Sequence, residues 1–281
     1  MSERRAIGAI VIAAALALSL DGARAFDESK YPDFSGQWDR GNGGAGWDPT
    51  KPNGLAQNPP LTAEYQKIFE ANVAAVAAGG EVYNDQSRCL PSGMPRMMIA
   101  YEPIEVIVTP KTTYVRVDHL SEFRRIYTDG RDWPATIEPT FAGYSIGKWI
   151  DENGDGRYDV LEAETRAVKG PHSYDANGIP FHQDGEAVFK ERIHLDKDNP
   201  DILRDDVTTY DHALAHPWTV TRTYYRHRDA PWYEHVCVED NHHLAIGKES
   251  YFLSADGLLM PTRKGQPPPD LRYFKEQQTA K

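Results

Sequence analysis

Asp151, Asn153, Asp155, Asp159 and Glu162 stand at positions 1, 3, 5, 9 and 12 of one short stretch, with Gly156 at position 6 and Arg157 at position 7. A hard divalent cation takes six to eight oxygens at roughly 2.3–2.6 Å and needs a residue without Cβ where the loop turns sharply. Four carboxylates so close together repel one another unless a cation lies between them, so calcium in a structural role is one expectation. A plain hairpin is the other, because Asn153-Gly154 and Asp155-Gly156 are both turn dipeptides. The entering segment 141–150 carries Gly143 and Gly147 among β-formers, which argues against the paired helices of an EF-hand.

Proton transfer has a second set of candidates. Strand alternation puts His119, Ser121, Phe123, Arg125 and Tyr127 on one face and Asp118, Glu122 and Arg124 on the other. With the first face turned inward, His119 serves as general base or acid while Arg125 and Tyr127 orient a substrate or stabilise an oxyanion. The competing readings are a satisfied internal network, or Arg125 closing one end of the sheet over Trp38. His172 and His182 flank the segment 168–186 and offer imidazoles on a lid. His212 and His216, beside Asp211, have helical spacing for a zinc pair but sit in a strand turn ending at Pro217. His235, His242 and His243 read as a polar surface cluster. The sequence contains no serine nucleophile elbow, phosphate loop or dinucleotide fingerprint.

Positioning these groups falls to short β-rich segments at 103–109, 112–120, 122–128, 143–150, 157–167, 187–195, 202–210, 217–227 and 232–239. Turn signals at 109–112 and 196–201 mark hairpin corners. Nine strands with short connections describe an antiparallel meander, and closing it into a barrel removes its exposed edges. Residues 168–186 form its one long loop, a kind that often covers a cavity mouth. Upstream, 26–61 is rich in Pro, Gly, Asn and Asp and predicts an irregular arm, in which 34–38 begins a strand. Thr62 as N-cap and Ile68, Phe69, Val73 and Val76 at helical spacing predict one helix over 63–78, stopped by Gly79-Gly80.

Arg4-Arg5, the apolar run 6–20 and Ala23-Arg24-Ala25 follow the order of a secretory signal peptide, with cleavage expected after Ala25 and a periplasmic or secreted product. The expected organisation is a signal peptide at 1–25, an arm and helix at 26–100, a barrel domain at 101–260 and a tail at 261–281. In an oxidising compartment the only two cysteines, Cys89 and Cys237, most simply form one disulfide, and export disfavours a catalytic thiol. A formal net charge of −11 argues against nucleic acid as a partner. No stretch approaches the roughly 20 apolar residues of a spanning helix, so no membrane insertion is expected.

Gly36-Gln37-Trp38 ahead of an antiparallel meander resembles the Gly-x-Trp opening of lipocalins and other calycins, whose barrels hold small apolar ligands. Cys89-Leu-Pro-Ser-Gly-Met-Pro-Arg-Met97, Arg124-Arg-Ile-Tyr-Thr-Asp-Gly-Arg131, Gly143-Tyr-Ser-Ile-Gly-Lys-Trp149 and Pro217-Trp218 are similar to a group of secreted bacterial lipocalin-like proteins, along nearly the whole mature chain. The resemblance implies a fold and a compartment and names no reaction. The hairpin after Gly143-Tyr-Ser-Ile-Gly147 is usually shorter in that group, so the acidic loop is a departure. Tyr101, Phe123, Tyr127, Tyr144, Trp149, Trp218 and Tyr224 supply rings at strand positions. The expectation is therefore a mainly β protein, an antiparallel meander closed into a lipocalin-like barrel with one N-terminal helix. It would bind a small aromatic or apolar molecule and carry out cofactor-independent proton transfer of a lyase or isomerase type. A periplasmic carrier without turnover and a structural cell-envelope module are the alternatives.

Overall fold

A computed structural model describes residues 26–41, 46–78, 89–99, 102–170, 173–229, 231–232, 235–237, 242–247 and 249–270. The expected signal peptide, Tyr101 and His172 lie outside the described residues. Nine strands close into a barrel: β1 (Gln37–Asp39), β2 (Ile104–Val108), β3 (Thr112–Val117), β4 (Glu122–Tyr127), β5 (Tyr144–Ile150), β6 (Val160–Arg166), β7 (Val188–Leu195), β8 (Ile202–Tyr210) and β9 (Trp218–His227). Each pairs with the next in chain order, and β1 joins β9 to β2 through Trp38, which faces Arg226 on one side and Ile104 on the other.

Two expectations about the strands need correction. The meander is not antiparallel throughout, because β4 and β5 run parallel. Parallel neighbours need a crossover of a dozen or more residues, and the Pro-containing connection 128–143 supplies it. It ends at Gly143, whose φ of +70° and crowding suit glycine alone: a Cβ there would lie 2.6 Å from Thr165 Cγ2 and 2.9 Å from the Arg166 carbonyl oxygen. Of the strand expected over 232–239, the described residues 232 and 235–237 lie outside any strand, and the others lie outside the described residues. Short β1 closes the barrel in its place. A further sheet of β10 (His243–Ile246), β11 (Glu249–Leu253) and β12 (Leu259–Pro261) stands apart from the barrel and went unread in a polar, turn-rich stretch.

The expected helix is present as α1 (Ala63–Ala77), burying Phe69. Its start is fixed to the barrel by Thr62 N–H donating to the Ala213 carbonyl at 2.8 Å, and its far side by Asn72 Nδ2 donating to the Gly178 carbonyl at 2.7 Å. Both hairpin corners form as read: Thr109 N–H donates to the Thr112 carbonyl, and the Asp196 carboxylate accepts from the backbone of Asp198 and Asn199.

Inside the barrel Trp38, Ile104, Val115, Ile126, Leu161, Phe189, Leu203 and Val207 form one continuous apolar core. Trp38 donates from Nε1 to the Phe34 carbonyl at 3.0 Å, and the Arg226 guanidinium lies 4.2 Å above its ring. Arg226, with its side chain only 2 % exposed, is therefore the arginine that closes this end of the barrel, not Arg125. Cys89 and Cys237 are bonded, with Cα atoms 5.6 Å apart across 148 residues of sequence. Among the described residues no helix is long and apolar enough to cross a membrane.

Candidate functional site

Period-two alternation decides which charges enter the barrel. Glu191 lies between Phe189 and Ile193 on the inner face of β7, Asp205 between Leu203 and Val207 on β8, and Arg222 between Val220 and Tyr224 on β9. On β4 the buried residues are Glu122, Arg124 and Ile126. The face expected to line the barrel is thus the outer one, and Phe123, Arg125 and Tyr127 point away from the core. In the fold these rings build a surface ladder instead: Phe123 stacks on Tyr114 with Arg125 beside it, and Tyr127 packs on Tyr144 under Arg131.

The inner face carries a belt of polar groups. Arg124 Nη1 donates to Glu191 Oε1 at 2.7 Å, Nη2 to the second Glu191 oxygen and to Thr165 Oγ1 at 2.7 Å, and Nε to Ser145 Oγ at 3.2 Å. Both side chains of the Arg124–Glu191 pair have no solvent exposure. Burial opposes the Arg124 charge, but the Glu191 carboxylate holds its pKa above the ordinary value. Asp205 stands opposite Arg222 in the β8–β9 register. It is 1 % exposed, and among the described residues neither of its oxygens has a hydrogen-bond partner; the same is true of Arg222 Nε. Burial first, and the Glu191 carboxylate second, push the Asp205 carboxyl well above the usual range. Its neutral form is therefore favoured over the charged one more than in an exposed aspartate.

Three segments cover this belt. Arg222 Nη1 donates to the carbonyls of Gly46 and Trp47, and Tyr224 donates its hydroxyl to the Met98 carbonyl. Trp47 N–H in turn reaches Asp175 Oδ2 at 3.2 Å, and Tyr174 packs among Trp47, Phe181 and Trp218. The expected long loop thus lies over the barrel, tied to the arm by Asp175.

Arg125 and Tyr127, with Ser121, Phe123 and Tyr144, line an outer groove of about 470 Å³ between β4 and β5. His119 is in neither place. It begins a short 3₁₀ turn, His119–Ser121, in which Leu120 and Ser121 have φ of 55° and 51°. Left-handed non-glycine residues cost about 1–3 kcal/mol each and persist only where their surroundings demand it. The turn ends the strand alternation and sends His119 Nδ1 to Glu102 Oε2 at 2.6 Å, with the His235 ring 5.0 Å away. The sequence expectation of a His119, Arg125 and Tyr127 constellation inside the barrel is corrected on this ground.

His182 meets different partners from those expected. Its Nδ1 lies 2.9 Å from Asp184 Oδ2, and the His212 Nδ1 approaches the same oxygen at 2.5 Å. His212 therefore pairs with His182 across Asp184, and His216 turns its Nδ1 to the Pro217 carbonyl. In the acidic hairpin Asp151 accepts from the N–H groups of Gly154, Asp155 and Gly156, Asn153 from Asp155, Asp155 from Arg157, and Asp159 from Glu152. Glu162 does not join them. It lies on β6 with its carboxylate held by Arg192 and by Lys148 at 3.1 Å, so the ligand expected at position 12 is engaged on the outer barrel face.

Compared with known protein families and with curated proteins, the chain matches none. Its chemistry must be read from the geometry.

The interior belt is what sequence reasoning missed. A usable signal was present, because one ionisable residue interrupts an apolar inner phase in Phe189-x-Glu191-x-Ile193, Leu203-x-Asp205-x-Val207 and Val220-x-Arg222-x-Tyr224. Such an interruption on a strand with a buried face marks a charge that something inside must answer.

Proposed function

We propose that the protein acts on a small molecule held inside the barrel, by acid–base chemistry that needs no cofactor. Asp205 gives a proton to a substrate oxygen and its carboxylate takes one from the neighbouring carbon, Arg222 opposite it meets the negative charge that develops, and Trp47, whose ring lies against Arg222, and Tyr224 would flank the guest. A lyase or isomerase step on an aromatic or apolar compound with one polar group fits a protonated carboxyl in an apolar wall. The reading rests on one observation: Asp205, buried in the barrel, has open hydrogen-bonding capacity opposite a guanidinium. A buried polar group without a partner costs free energy, and a guest that supplies the partner recovers it. Entry requires segments 46–47 and 96–99 to move aside, which ties binding to a conformational step. The disulfide suits an exported protein, so the same proposal places it in the periplasm or outside the cell.

The test is a panel of small aromatic alcohols, ketones and acids, followed by thermal shift for binding and by NMR for conversion. A compound that raises the Tm of the wild type but not of Asp205→Asn, and that is consumed only by the wild type, is the expected result. Protection without consumption points to the carrier. Protection that survives Asp205→Asn removes the barrel interior from the account.

Calcium at the acidic hairpin forms part of the same proposal, with Asp151, Asn153, Asp155 and Asp159 as side-chain ligands, the Arg157 carbonyl as another, and Glu162 left out. Chelation is expected to lower the Tm by a few degrees, and Asp155→Ala to abolish that sensitivity. An unchanged Tm would show that the turn's own hydrogen bonds are enough.

A further inference from the structure

We infer that Glu102, His119 and His235 form a binding site for a divalent transition-metal ion of the zinc class, with coordination positions left open for water or a small anion. One ligand atom from each residue lies within 4.8 Å of the other two, and all three residues are half-buried. They come from three separate segments: Glu102 just ahead of β2, His119 in the turn between β3 and β4, and His235 near the far end of the chain. His235 lies two residues from Cys237, whose bond to Cys89 ties that stretch to the body of the protein. The left-handed turn at Leu120 and Ser121 gives His119 its direction independently.

Two imidazoles and one carboxylate make a borderline donor set suited to zinc and its neighbours, whereas calcium prefers oxygen throughout. In a tetrahedral zinc site with bonds of about 2.0–2.1 Å, adjacent ligand atoms stand roughly 3.3 Å apart. His119 Nδ1 and Glu102 Oε2, now 2.6 Å apart, would need to separate by about 0.7 Å, a small rotation for these partly buried side chains. Three protein ligands leave a fourth position open, as in catalytic rather than structural zinc sites. The cluster of His182, Asp184 and His212 is the weaker rival. There both imidazoles approach a single carboxylate oxygen, and the His212 side chain is 63 % exposed.

The experiment is calorimetric titration of the chelator-treated full chain with Zn²⁺ alone, backed by the visible spectrum with Co²⁺. About one equivalent should bind with a micromolar or lower Kd, a binding free energy of about −8 kcal/mol or stronger. His235→Ala should weaken it at least about tenfold. Asp184→Ala and Asp155→Ala should leave it unchanged, and Co²⁺ should give the intensified visible bands of a four- or five-coordinate histidine site. Affinity that survives His235→Ala, or that falls in Asp184→Ala or Asp155→Ala, overturns the assignment. So does binding no tighter than millimolar. His235 lies outside the strands, and the metal-free Tm of His235→Ala reports whether the fold is intact. If His119→Ala fails to fold, His235→Ala decides alone.

Discussion

Arg124→Met should destabilise the fold by about 3–5 kcal/mol, because it strands the Glu191 carboxylate inside the barrel with no cation to answer it. Removing one partner of a buried pair exposes the full desolvation penalty of the other. Thr165 and Ser145, which Arg124 also holds, lose a donor at the same time. Glu191→Leu should cost a similar amount, since Arg124 cannot give up its charge. The double variant Arg124→Met with Glu191→Leu should recover most of either loss, as apolar replacement of a whole buried pair is often neutral or stabilising. Urea unfolding of the four proteins gives the coupling energy directly. A cost below about 1 kcal/mol for Arg124→Met would mean that water reaches the pair, and that the interior is wetter than the burial implies.

The second large effect is a dependence of stability on pH. The Asp205 pKa in the folded state lies well above its unfolded value, near 3.9 for an exposed aspartate. A raised folded pKa means that the native state holds the proton more tightly than the unfolded chain does. The stability this group contributes is complete below the unfolded pKa and is lost as pH rises through the folded one. Each unit of difference is worth about 1.4 kcal/mol. Asp205→Asn keeps the shape and has no proton to lose. Its stability should therefore fall less than that of the wild type as pH is raised above about 4, and the two curves should diverge until the pH passes the folded-state pKa of Asp205. Parallel curves would place the Asp205 carboxyl in contact with solvent.

The fold was legible wherever a strand showed clear alternation between turn signals. β7, β8 and β9 fall within a residue of their expected bounds, and α1 follows its N-cap and spacing. β1 is only three residues long, and its place in the barrel comes from pairing with β9, which begins far along the sequence and which no local pattern records. The parallel step from β4 to β5 was hidden for the same reason. At the site, alternation separates the two faces of β4 but does not say which is inner, and rings such as Phe123 and Tyr127 stack as well on an outer barrel wall as in a core. His119 was misplaced because a left-handed turn breaks the alternation just where the strand was extrapolated. Asp205 and Arg222 were legible in principle, yet their meaning depends on β8 and β9 lying in register, and that follows from closure of the whole barrel.

A high-resolution crystal structure of the protein soaked with the strongest compound from the panel tests the central claim most directly. Density for the compound inside the barrel, with a polar atom about 3 Å from Asp205 and from Arg222, is the predicted result. Density confined to the outer groove beside Arg125 and Tyr127, with the interior unchanged, would contradict it.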